Sequence, residues 1–212
     1  DDYRAYFNYK GESTVLYNYV RDDFFAVQAK EAPVSQGLRL LAVGNLRPQK
    51  NYPFMIGAFR YLKDIPVTLD VYGDGALRKD LEKTIEENKL HVSIKGKIAD
   101  VAAVMPAYDA FLMLSSFEGF GIAVAEAMAA NTPVILSDIA VLKEITQSRA
   151  IFVSLDSAEN FADQLRQLVH DRTPLQSMIL PNRERAEKYY SRTAYLKQLD
   201  AIYDKALSGL SY

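Results

Sequence analysis

An α/β fold is what this sequence predicts: a doubly wound parallel sheet of about six strands, helices on both faces, and a helical extension at the C-terminus. Three observations carry that expectation. Apolar runs of strand length alternate along the chain with longer segments of helical spacing. Runs such as LRLLAVG are apolar at successive positions, as a strand covered on both faces must be. Glycine, charged and hydroxyl residues collect directly after the runs, at 44–50, 73–75, 96–98, 115–121 and 137–138. Sheets of this kind bind ligands outside the carboxyl ends of their strands, so the five stretches converge on one edge.

The elements follow in order. Residues 38–44 form an apolar run ended by glycine, a buried strand. Asn51 caps the next segment, Pro53 sits in its first turn, and FMIGAFRYL follows at helical spacing. Residues 67–73 read as a strand and 76–89 as an amphipathic helix. A short strand at 91–96 precedes the helix-like DVAAVMPAY. Residues 109–116 are a strand, 121–131 an apolar helix, 132–138 a strand, LKEIT a short helical turn, and 150–154 the last strand. From Ser157 to Leu207 the chain reads as helices punctuated by Pro174 and Pro181. Crossovers are expected to be right-handed.

Composition narrows the function. A chain of 212 residues, 49% hydrophobic and 25% charged, has room for one large domain or two small ones and the profile of a soluble globular protein. Its net charge of −2 supplies no basic field for nucleic acid or anionic lipid. With no cysteine, disulfides, thiolate metal sites and thiol catalysis are excluded, and a reducing cytoplasm is a consistent setting. His91 and His170 stand far apart and form neither HxxxH nor HExxH, which argues against zinc; both read as packing or surface residues. No apolar run reaches the ~18–20 residues of a membrane span. The opening DDYRAYFNYKGES is acidic and aromatic, unlike a signal peptide, and lacks methionine, so a piece of a longer protein is expected. Tyrosines crowd residues 3–19 and 189–212, which predicts that the two ends pack together. The charge runs at 78–89 and 183–188 read as solvated helix faces.

Three stretches carry chemistry. Gly44 to Asn51 joins a strand to a helix and brings two cations, Arg47 and Lys50, beside a helix start, where a phosphate can be held. Gly73-Asp74-Gly75 follows a strand and permits a tight turn, although Arg78 stands where the dinucleotide fingerprint needs its third glycine. The third stretch is EGFGIAVAE. Gly119 and Gly121 bring backbone amides to a helix start that suits an anion. Between Glu118 and Asp138 the only charge is Glu126, about one and a half turns into an apolar helix. A carboxylate there costs free energy unless it is used. It can accept two hydrogen bonds from a vicinal diol such as a ribose, and Glu118 can reach hydroxyls beyond the phosphates. The competing reading leaves Glu118 solvated and pairs Glu126 with a core Lys or Arg.

With these residues in view, the chain resembles the C-terminal, donor-binding domain of GT-B fold glycosyltransferases, in the large retaining family 4 (glycosyl transferases group 1). The resemblance spans residues 14 to 207 and rests on AVGNLRPQKN, VYGDGALRKDL, IKGKIAD, the EGFG and EAMA pair, and TPVILSDIAVLKEI, in the family's order. It implies a Rossmann-like sheet and a set of roles. Lys50 would bind the donor diphosphate and Glu126 the ribose. Glu118, with the backbone of Phe120, Gly121 and Ile122, would hold sugar and phosphate, so that Glu118 and Lys50 are the catalytic candidates. Ile98 would contact the base through its backbone, and Gly73 and Gly75 would shape the cleft floor. No metal or other cofactor is implied.

Family members commonly carry Arg where this chain has Asn45, and Arg47 is the candidate substitute. The resemblance also implies an N-terminal acceptor-binding domain outside this chain. Residues 1–30 would be the interdomain connector or the tail of that domain, 31–173 the nucleotide-sugar-binding domain, and 174–212 helices packing back on it. The implied reaction moves a hexose from a nucleoside diphosphate sugar to an acceptor, a sugar or lipid-linked sugar, in polysaccharide or lipopolysaccharide synthesis. The implied location is cytoplasmic, with room for peripheral attachment to the inner face of a membrane. A nucleotide-sugar epimerase and a non-catalytic nucleotide-sugar-binding module remain alternatives.

Overall fold

A computed structural model of the protein describes residues 6–8, 10–11, 13–28 and 37–208. Six strands, β1 (Leu38–Val43), β2 (Val67–Tyr72), β3 (Val92–Gly96), β4 (Ala110–Met113), β5 (Val134–Ser137) and β6 (Ile151–Val153), form one sheet in the order β3-β2-β1-β4-β5-β6. Every pairing is parallel, with Leu38 opposite Val67 on one side of β1 and Leu40 opposite Ala110 on the other. The chain winds outward from β1 through β2 and β3, then returns to the far side of β1 for β4. That reversal separates the loops after β1 and β4 and opens a crevice between them. The consecutive apolar runs have the predicted cause: β4 and β5 are buried at every position.

Strands are shorter than the runs that announce them. The run at 109–116 yields only Ala110–Met113, because β4 meets β5 at Phe111, Leu112 and Met113 and then leaves the sheet toward the crevice. Beyond the strand ends, backbone pairing continues between loops. Gly44 N–H donates to Tyr72 O at 3.0 Å, Leu46 N–H to Asp74 O at 3.0 Å, and Gly73 N–H to Gly96 O at 2.8 Å. A Cβ on Gly73 would lie 1.9 Å from the Gly44 carbonyl oxygen, so the first two loops can touch only because residue 73 has no side chain.

Among the described residues the longer helices are α1 (Asp22–Ala26), α2 (Tyr52–Ala58), α3 (Arg78–Asn88), α4 (Val101–Val104), α5 (Ile122–Ala129), α6 (Ala140–Thr146), α7 (Ala158–His170), α8 (Thr173–Tyr190) and α9 (Arg192–Ser208). Ser157 caps α7 by accepting from Asn160 N–H at 3.2 Å, and α7 buries Phe161, Leu165 and Leu168. Both α1 and α8 pack on α5, the apolar helix after β4. The two ends of the chain meet as expected. Val20 N–H donates to Tyr190 O at 2.8 Å, and the Tyr17–Tyr190 and Tyr19–Tyr195 rings lie 5.6 and 5.2 Å apart. Tyr3 and Tyr212 lie outside the described residues. No helix among the described residues is long and apolar enough to cross a membrane.

Three expectations are corrected. Asn51 stands at the N-cap of α2 but in the left-handed conformation, φ 52°, and its side chain makes no capping bond; its carbonyl accepts from Met55 N–H instead. Pro181 does not interrupt α8, whereas Pro174 sits in the first turn, where a missing N–H costs nothing. The helix passes through Pro181 held on both sides: Met178 Sδ accepts from Val134 N–H, and Asn182 Nδ2 donates to Arg149 O at 2.9 Å. The run 183–188 is a solvated face only in part: Glu184, Glu187 and Lys188 are exposed, but its two arginines turn inward. Arg185 is buried, donates to Ile145 O at 2.6 Å and Glu144 O at 3.0 Å, and lies over the Tyr189 and Tyr190 rings. Arg183 reaches Phe25 O at 2.8 Å and also binds Ala129 O. Helix ends leave carbonyls without partners, and these two arginines supply donors to the ends of α5 and α6.

Arg185→Ala is expected to lower unfolding stability by about 1–3 kcal/mol, through the lost charged hydrogen bonds and aromatic contact, read as a lower urea midpoint. An unchanged midpoint would show that water replaces the guanidinium at no cost. Gly73→Ala is expected to cost more, on the order of 3 kcal/mol, because one of the two loops must move away from the other.

Candidate functional site

The crevice at the strand reversal is built from two loops tied to each other. Pro48 opens a 3₁₀ turn, Pro48–Lys50, and the left-handed Asn51 ends it, so that Gln49 and Lys50 meet the loop after β4. Gln49 Nε2 donates to Phe117 O at 2.8 Å, and Ser116 N–H donates to Gln49 O at 2.9 Å. Lys50 Nζ donates to Glu118 Oε1 at 2.6 Å, with side chains 23% and 8% exposed. Behind them the Tyr52 hydroxyl donates to Gly44 O at 3.2 Å; its burial, and secondarily the Glu118 carboxylate, hold its pKa above the usual phenol range. The ends of β4 and β5 are joined by Ser137 Oγ, which donates to Ser115 O at 2.6 Å.

Gly121 begins α5 with φ 81°, a conformation that turns the chain sharply into the helix. The amides of the first turn and the axial dipole then favour negative charge at this end. Glu126 is half-buried in α5 and makes neither hydrogen bond nor ion pair among the described residues. The reading that pairs it with a core cation is not met. Arg21, the nearest candidate, donates to Asp23 at 2.8 Å. Burial pushes the Glu126 carboxyl up from 4.5 to about 7; Arg21 pulls it down in part and Asp23 pushes it up. A carboxyl without a partner, at the price of desolvation, is what a ligand contact would use.

Other predicted residues divide into groups. Asn45, Gly73 and Ile98 come together with Gly44, Asp74 and Lys97 around an open cleft of ≈ 310 Å³. Gly75 lies beneath it, its backbone against Leu46. Arg47 is exposed and does not line that cleft. Ile122 is exposed at the mouth of α5. The Phe120 ring packs on Tyr17 and Tyr190 at 5.9 and 5.6 Å, leaving its backbone to the loop. Both histidines are exposed, as read.

Sequence reasoning gave no role in this region to Gln49, Tyr52 and Lys97. Gln49 and Lys97 lie inside stretches it had marked as the ligand edge, but which neighbour each meets depends on loops far apart in sequence. Tyr52 carried no signal, since a tyrosine in a helix reads as core.

Comparison with known proteins agrees with this architecture. A family model described as glycosyl transferases group 1 matches residues 23–190. An uncharacterized glycosyltransferase of Methanocaldococcus jannaschii is 33% identical over 141 residues, 65% of this chain and 38% of the relative. The O-antigen chain mannosyltransferase RfbU of Salmonella typhimurium is 30% identical over 165 residues, 73% of this chain and 44% of the relative. The chain therefore spans less than half the length of these curated relatives. Among solved structures, Anabaena HepE in complex with UDP superposes with a TM-score of 0.77 at 20% identity, over 93% of this chain and 57% of that one, a likeness of fold. By the family model, which matches most of its length, this chain belongs to the glycosyl transferases group 1 family.

Proposed function

We propose that this chain is the donor-binding part of a retaining hexosyltransferase that takes its sugar from a nucleoside diphosphate sugar. The observation that supports the reading most is the Lys50–Glu118 pair beside the N-terminus of α5, with a half-buried, unpartnered Glu126 in the same helix. The reaction expels a nucleoside diphosphate, and its growing negative charge must be stabilised. Lys50 and the amides near Gly121 and Ile122 offer a cation and a dipole for that charge, so the reading assigns the work to them rather than to a metal.

The ion pair gives donor binding a definite form. Glu118 compensates Lys50 at 2.6 Å. An arriving diphosphate competes for the ammonium, and the sugar hydroxyls take over the carboxylate, so neither charge is left bare. Glu126 accepts from the ribose hydroxyls. Asn45, Gly73 and Ile98 line the part of the cleft assigned to nucleotide, with the base on the backbone of Ile98.

The rest of the reading concerns the parent protein. Residues 1–30 serve as connector to an acceptor-binding domain, 31–173 bind donor, and 174–212 brace the donor half. The acceptor is a sugar or lipid-linked sugar in polysaccharide synthesis; the Salmonella relative is named for an O-antigen chain. The enzyme works in the cytoplasm, at or near the membrane that holds such acceptors.

Ligand-observed NMR with UDP, GDP and ADP tests the reading. One nucleotide is expected to bind, and Lys50→Ala and Glu126→Ala are each expected to weaken it by about tenfold or more, while thermal melts confirm that both variants fold. Failure of all three nucleotides to bind, or indifference to both substitutions, would sink it.

Glu126 also predicts a pH dependence. Its folded pKa lies above its ordinary value, so the folded state holds an extra proton between about pH 4.5 and 7. Stability linked to this group is therefore full below that window and lost as pH rises through about 7. Glu126→Gln should match the wild type near the acidic end and exceed it by about 1 kcal/mol at alkaline pH, after allowance for partial solvent screening. Ribose binding by the ionised form runs the other way: affinity should rise through neutrality in the wild type more steeply than in Glu126→Gln.

A further inference from the structure

We propose that Lys97 supplies the second cation for the donor diphosphate, a role that rests on the donor-site reading above. A nucleoside diphosphate brings at least two negative charges, and Lys50 can meet one of them. Lys50 is itself compensated by Glu118 at 2.6 Å. A further cation near the same backbone, one that no carboxylate holds, would add to what Lys50 and the α5 amides supply.

The charges around the cleft single out Lys97. Asp74 is engaged: its Oδ1 accepts from Gly75 N–H at 2.8 Å, and its Oδ2 lies 3.6 Å from Arg78 Nη1. Arg78 in turn donates to Glu82 at 2.8 Å. Arg47 is exposed and stands off the cleft lining. Lys97 lines the cleft with Gly44 and Asn45, is exposed, and makes no ion pair or side-chain hydrogen bond among the described residues.

Its position completes an arrangement around Gly44. The Lys50 side chain runs past Gly44, its Cε and Cδ 3.6 and 3.9 Å from where a Cβ would stand. Gly44 is thus shared: it touches the Lys50 stem and lines one cleft with Asn45 and Lys97. Gly44 has no side chain to keep an anion from the backbone, and Asn45 is neutral. In the proposed pose a diphosphate lies along Gly44 and Asn45, with the Lys50 stem at Gly44 and Lys97 on the same cleft. Lysine suits the place: a flexible stem with a point charge can follow a ligand across an open cleft.

The test uses the chain with whichever of UDP, GDP and ADP it binds, together with the matching nucleoside. Lys97→Ala is expected to weaken diphosphate binding by about tenfold, to reduce its salt dependence, and to leave nucleoside binding unchanged. Lys97→Arg, which keeps the charge, is expected to retain most of the affinity, and Arg47→Ala to change little. Lys97 is a surface residue, so melting temperatures should be equal. If Lys97→Ala binds the diphosphate like the wild type, or loses nucleoside and diphosphate in equal proportion, the assignment is overturned; in the second case the lysine contacts base or ribose. A large loss in Arg47→Ala with none in Lys97→Ala moves the role to Arg47. A wild type that binds no nucleotide removes the donor reading itself, and the proposal falls with it.

Discussion

The contact between Lys50 and Glu118 ties the two halves of the sheet together at the point where their winding reverses. One residue follows β1 and the other β4, and their 2.6 Å bond spans 68 positions of sequence. Glu118 keeps only 8% of its side-chain surface, so the pair is held largely out of water. Such a pair gains little net stability, because desolvation offsets much of the attraction, but the loss of one partner leaves a buried charge bare. The neutral bonds around it, from Gln49 to Phe117 and from Ser116 to Gln49, hold the loops in register. A ligand that replaces both partners at once can therefore enter without leaving either charge exposed to an apolar wall.

A second set of contacts braces this crevice from behind. The Tyr190 ring lies edge-on to both Tyr17 and Phe120, and its hydroxyl donates to Ile145 O at 2.9 Å. Arg185 reaches the same carbonyl and the one before it. The Tyr17 hydroxyl donates to Glu144 at 2.6 Å, which, with burial, pushes its pKa up to about 12 and keeps it protonated. Through these groups the N-terminal segment, α6 and α8 all bear on the loop that carries Glu118 to Gly121. Edge-to-face aromatic contacts favour particular ring orientations, so the loop's path follows from where α8 lies.

Much of the fold was legible in the chain itself. Apolar runs at successive positions marked β4 and β5, because a strand covered on both faces has no polar side to show. The five ligand-edge stretches were legible for a related reason: strands end where glycine and polar residues begin. Boundaries were less legible, as the run 109–116 shows, since a strand stops where its neighbour does. The charge run 183–188 misled at Arg183 and Arg185, because sequence alone does not reveal which carbonyls a helix will meet. Pro181 misled as well: a proline weakens a helix locally, and contacts from Met178 and Asn182 outweighed that cost.

Sequence by itself determined the class of fold, the order of elements, the edge where polar chemistry collects, and the isolation of Glu126 in an apolar helix. Those properties follow from local pattern and spacing. Tertiary structure decided which groups meet: Lys50 with Glu118, the Gly73 backbone against Gly44, Lys97 on the same cleft as Asn45, Arg185 at the end of α6. Each joins residues from different elements, and whether a charge is compensated or free depends on what the folded chain places within a few ångströms of it.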